Sequence, residues 1–155
     1  MNKNIFKLSL LCLVLSGQNV LAYQPLNQCL PQSCDGADCS LVEEKTLDCE
    51  TSAIFEAIGL SGELSKFELT LRKECFSDLE KCQFDFDNLL TQVNAVRTEM
   101  DIIEKKRAPL DKSEYVSSDY QEEREQNSKR AYNEMRVIDE RISRIQSAIT
   151  AHSKN

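Results

Sequence analysis

The chain has 155 residues, 41% hydrophobic and 29% charged, with a formal net charge of −7, a composition that excludes a disordered or collagen-like chain and allows one domain or two small ones. Four glycines, one histidine and no tryptophan leave glycine-rich phosphate cradles, histidine-dependent catalysis and histidine metal clusters without raw material. The acidic excess speaks against nucleic acid and anionic lipid as partners.

At the start, Lys3 and Lys7 flank the beginning of an apolar run over residues 8–15, and Val20-Leu21-Ala22 supplies small residues where signal peptidase inspects the chain. Residues 1–22 are therefore read as a cleaved signal peptide, with Tyr23 as the new N-terminus. Gly17, Gln18 and Asn19 interrupt the run well before the ~20 apolar residues of a spanning helix, so no membrane span is expected after cleavage. The Val-x-Ala ending suits a bacterial periplasm or secretion. Cleavage removes two cations and no acid, so the mature chain is more acidic still. The acid is concentrated in residues 23–60, where Lys45 is the only Lys or Arg.

Cys12 leaves with the signal, and six cysteines remain: Cys29, Cys34, Cys39, Cys49, Cys75 and Cys82. An even number in an exported chain implies three disulfides. The spacings lack the close pairs of a zinc site, and Asp35-Gly36-Ala37-Asp38 lacks the alternating ligands of a calcium loop. No metal or other cofactor is expected.

Residues 23–39, with Pro25, Pro31 and Gly36, read as loop. Ser40 with Glu43 forms a capping box and Gly59 a C-terminal cap, predicting a short helix near 41–58. Ser65 with Glu68 repeats the box, so a second helix begins at 62–66. It runs to about 107, where Lys105, Lys106 and Arg107 suit the negative end of a helix and Pro109 follows. Ser118 with Gln121 opens a last helix over 118–151, leaving residues 107–117 as a loop. The predicted fold is all-α: a long, coiled-coil-like antiparallel helical hairpin over 61–155. A Cys-rich acidic segment with a short helix, residues 23–60, is clamped to its base by disulfides.

The apolar spacing sets a register. Leu79, Cys82, Phe86, Leu89, Val93, Val96, Met100 and Ile103 step by three and four, as do Ala131, Met135, Ile138, Ile142, Ile145 and Ile149. Folding about the loop pairs residues whose numbers add up to about 224, such as Phe86 with Ile138. On one continuous helix Cys75 and Cys82 lie ~10.5 Å apart, beyond the ~7 Å reach of a bridge. They are then expected to bridge back to residues 29–49. The same register sets Val93, Val96, Met100 and Ile103 against Ala131, Ser128, Arg124 and Gln121. This half-covered apical row is the expected docking site for a protein partner or a second copy of the chain.

No catalytic constellation is evident. His152 lies three residues from the end, and Asp85 with Asp87, or Glu122 with Glu123, sit on solvated helix faces without the apolar pocket that tunes a carboxyl group. The sequence points to an exported, disulfide-stabilised, non-catalytic helical protein that binds another protein in a bacterial envelope or secreted assembly. The alternative is a small inhibitor, an immunity factor or a periplasmic holdase chaperone.

Overall fold

The computed structural model describes residues 34, 39–75 and 77–153, apart from the side chains of Arg72 and Glu74. The expected signal peptide and Cys29 lie outside these residues. The described chain is all-α. Helix α1 spans Ser40–Glu74, α2 Leu79–Arg107 and α3 Ser118–His152, with a short 3-10 turn at Leu110–Lys112 between α2 and α3.

Helix α1 is far longer than the expected 41–58 segment. Gly59 and Gly62 do not stop it; neither has a positive φ, and both sit on its exposed face. A glycine inside a helix costs about 1 kcal/mol relative to alanine. Burying Leu60, Leu64 and Leu71 returns about 1.5–3 kcal/mol for each side chain, so packing overrides the local stop signal. The expected boundary after residue 60 accordingly falls inside α1, and a three-helix bundle replaces the hairpin with a short appended helix.

The helix break lies at residues 75–78 instead. Asp78 caps α2, its side chain accepting the Lys81 N–H at 3.0 Å. The chain reverses there, bringing the Cα atoms of Cys75 and Cys82 to 5.1 Å, and the two are disulfide-bonded. The expectation that they cannot pair, and must reach back to residues 29–49, fails because they do not share a helix. Cys34 and Cys39 form a second bridge with a Cα separation of 5.6 Å, and Cys49 is disulfide-bonded as well.

Pairwise contacts fix the directions of the helices. Cys75 bonds Cys82, the Phe67 and Phe86 rings stack at 5.8 Å, and Glu50 pairs with Arg107, so α1 and α2 are antiparallel. Glu43 meets Ser117, Glu50 meets Asn127 and Glu68 meets Arg144, so α3 runs parallel to α1. Between α2 and α3, Arg97 pairs with Asp139 and Arg107 with Ser128. These antiparallel contacts join residues whose numbers add up to about 235, not 224.

The loop explains the shifted register. Residues 108–117 do not cross the tip of a symmetric hairpin but run back along the first turns of α3. There Asp111 accepts from Tyr120 Oη at 3.3 Å and pairs with Arg124 at 3.1 Å. Helix α3 thus begins about ten residues, on the order of 15 Å, beyond the end of α2. The Ser117 side chain caps it by accepting the Tyr120 N–H at 3.1 Å, one residue earlier than expected. Ser117 in turn donates its own N–H and hydroxyl to Glu43 at 2.8 and 2.7 Å. One carboxylate thereby serves the positive ends of α1 and α3. The Cys34–Cys39 bridge sits at the start of α1 and so adjoins this end of the bundle, opposite the base to which this segment was expected to be clamped.

The core follows from the same geometry. Helix α1 carries the small residues Cys49, Ala53, Ala57 and Ser61 on its inner face, and its backbone approaches both α2 and α3 closely, whereas α2 and α3 approach one another much less. At the Cys75–Cys82 end the wider gap is filled by Phe86, Ile138, Ile145 and Ile149. Val93 and Val96 are 1% exposed and Ile103 3%. They are core residues, not a half-covered surface row, because α1 covers them and the true register gives them other neighbours.

Candidate binding groove

In the half of the bundle nearest the α2–α3 loop, the space between α2 and α3 is not filled. A cleft of about 420 Å³ opens there, with α1 as its floor, a volume within the range of ligand-binding clefts. Its apolar lining comes from Ala53 and Ile54 of α1, Met100 and Ile103 of α2, and Ala131 and Met135 of α3. The opening exists because small residues stand where the other half of the bundle places isoleucine and phenylalanine. Two of the four apical residues singled out by sequence, Met100 and Ile103, line the cleft; Val93 and Val96 do not.

One end of the cleft is polar. Glu50 is 5% exposed yet carries a carboxylate, and burying an isolated charge is prohibitive unless it is paired and hydrogen-bonded. Arg107 Nη1 donates to Glu50 Oε1, and Asn127 Nδ2 lies 3.5 Å from Oε2. Arg107 Nη2 reaches Ser128 Oγ at 3.4 Å, while its Nε lies 3.6 Å from Asp111 and makes no hydrogen bond. The guanidinium therefore ties α1, α2, α3 and the loop together. Beside it the Tyr120 hydroxyl is pushed well above its ordinary range by burial, then by the charges of Asp111 and Glu50.

The rim has a different character. Asp101 and Glu104 stand exposed on the α2 lip, and Tyr132, 71% exposed, stands on the α3 lip. Among the described residues neither Asp101 nor Glu104 has a salt-bridge partner, whereas Arg97 and Asp139, further along the same seam, neutralise each other.

Away from the cleft, Arg144 and Arg141 clasp Glu68, with Arg144 Nε at 2.7 Å. The hydrogen bond from Arg144 chiefly holds the Glu68 carboxyl below its usual range. Between α1 and α2, Glu99 faces Glu56 and is raised to about 7, first by burial and then by the neighbouring carboxylate. These are ties and tensions between helices. Among the described residues, no group of three His, Cys, Asp or Glu side chains is placed to hold a metal ion, and no helix is long and apolar enough to cross a membrane.

Sequence reasoning missed the polar end of the cleft, although a signal was present. Glu50 and Asn127 occupy positions at core spacing, Glu50 three before Ala53 and Asn127 four before Ala131. Polar residues in an apolar repeat mark either a buried network or a site. Comparison with protein-family models, curated proteins and solved structures finds no match.

Proposed function

We propose that this chain is an exported, disulfide-stabilised, non-catalytic protein that binds another protein in a bacterial envelope or secreted assembly, and that the cleft between α2 and α3 receives the partner. The observation that carries the reading is the cleft itself: an apolar lining from all three helices, closed at one end by the Glu50–Arg107 network that ties its walls together. The disulfides support export, because bridges persist in oxidising compartments. Rigid walls favour binding, since little order must be imposed when a partner arrives.

A photo-crosslinking residue placed at Tyr132, on the lip, tests the reading in intact cells. It should capture one discrete partner, and the adduct should disappear when Ala131→Leu fills the cleft. The same crosslinker at Phe84, an exposed position on the first turns of α2, should capture little. Equal capture from both positions would refute the assignment of the cleft. Suppression of aggregation of unrelated unfolded proteins, unaffected by Ala131→Leu, would point to a holdase instead.

A further inference from the structure

Resting on the reading of the cleft as a partner site, we infer that its occupant is a cationic amphipathic helix, which packs as a fourth helix between α2 and α3. Three observations combine. The first is shape: α1 packs closely on both neighbours while α2 and α3 stay apart, so the bundle has an open seam that runs parallel to its helices. An added helix laid along that seam can present apolar side chains every third or fourth residue to the lining. Strand addition would need a sheet edge, and the described residues include no strand.

The second observation is the chemistry of the lining. Met100 of α2 and Met135 of α3 line the cleft together with Ala53 and Ala131. Methionine is unbranched and adapts its shape to an incoming side chain, and alanine leaves the space for it. The interior therefore accepts leucine-sized groups without specifying one of them closely.

The third is charge. Asp101 and Glu104 stand on one lip without a cation, and the exposed ring of Tyr132 stands on the other. A lysine or arginine on the flank of the incoming helix meets two carboxylates on one side and an aromatic face on the other, both of which attract a cation. An acidic helix would meet repulsion from the same lip, and the net charge of −7 works against it at longer range. The Glu50–Arg107 pair, neutral as a unit and buried, stays a structural end wall and takes no part in this discrimination.

The test uses the purified oxidised chain and two labelled synthetic helices of about 14 residues, long enough to span the cleft: one of leucine and lysine, one of leucine and glutamate. Fluorescence anisotropy should show the leucine–lysine helix binding at least about tenfold more tightly, in a salt-sensitive manner. Asp101→Asn with Glu104→Gln, both exposed and outside the core, should weaken it by about three- to tenfold. Ala131→Leu should weaken both helices. Equal binding of the two helices, with both lost on Ala131→Leu, overturns the cationic preference and leaves the cleft as the partner site. Binding of the leucine–lysine helix that ignores Ala131→Leu places it on the acidic surface elsewhere and overturns both readings. Thermal melts of each variant, unchanged to within a few degrees, keep a folding defect from imitating loss of binding.

Discussion

Replacing Gly59 and Gly62 of α1 by alanine should stabilise this protein. Both glycines lie inside a 35-residue helix, have no positive φ, and have no heavy atom within 4 Å of the position that a Cβ would occupy. The native conformation thus accepts alanine without strain, while the unfolded chain loses freedom that glycine alone enjoys. That difference is worth about 0.4–1 kcal/mol at each site. The two positions are neighbours on α1, but a Cβ at either meets nothing, so the simple sum of the two entropic gains gives about 1–2 kcal/mol for the double variant. An unfolding entropy of roughly 2.1 cal/mol/K per residue, taken over a bundle of this size, converts the gain to a rise in Tm of about 4–8 °C. Circular dichroism melts of the two single variants and the double variant, under oxidising conditions, read it directly. A lower Tm in either single variant would show that α1 is not a regular helix there, or that its outer face is covered in solution.

Arg107→Met should cost roughly 3 kcal/mol, measured by chemical denaturation, because it leaves the buried Glu50 carboxylate without its cation; adding Glu50→Gln to it should recover a large part of the loss, and a strictly additive loss would contradict the pairing. Stability should also respond to pH through Glu99. Its folded pKa of about 7 lies above the ordinary 4.5 of an unburied glutamate, so its contribution is fully present below about 4.5 and is lost as pH rises through 7. Glu99→Gln should therefore raise Tm relative to wild type more at pH 8 than at pH 5. Glu68, held low by Arg144, has the opposite sign and loses its contribution only in acid, so it does not mask the comparison. An equal effect of Glu99→Gln at both pH values would show that Glu99 is not buried against Glu56.

The parts of the fold that could be read in advance are those where local chemistry and packing agree. Lys105, Lys106 and Arg107 at the end of α2 suit the helix dipole and precede Pro109, and the helix ends there. The last helix, expected over 118–151, spans Ser118–His152. Where the two disagree, local signals mislead. Gly59 looks like a cap, but the leucines that follow it keep the helical spacing and find a core. Conversely, residues 63–107 contain neither Gly nor Pro, so they read as one helix. The turn at 75–78 carried its own mark in Ser77 and Glu80, spaced as a capping box, with Asp78 between them. That short signal also decides the disulfides, since two cysteines seven residues apart pair only when the chain reverses between them. The register error had a different source: a loop that runs back along α3 moves every pairing, and nothing in the periodicity of either helix reports the path of the loop. The cleft was unreadable for the same reason, because it depends on which residues face each other across the seam.

The bridge at the α1–α2 turn also bears on the order in which the bundle assembles. With Cys75 and Cys82 joined, α1 and α2 meet next to a closed loop and can zip outward from it, so their pairing involves contacts between near neighbours in sequence. Helix α3 has no such help. Its ties to α1, such as Glu43 with Ser117 and Glu68 with Arg144, span 74 and 76 residues, and the entropy lost in closing such loops precedes any contact that rewards it. Docking of α3 on α1 is therefore the slow, late event, whereas the half of the α2–α3 seam furthest from the bridge lies next to the loop that joins these two helices, where Arg107 and Ser128 are only 21 residues apart, and it closes at a lower entropic cost. The cleft lies in that half. Its walls are joined by the α2–α3 loop and by the Glu50–Arg107 tie, so amide exchange along them should be slower than at the free end of α3, and an incoming helix meets a seat that is set before it arrives.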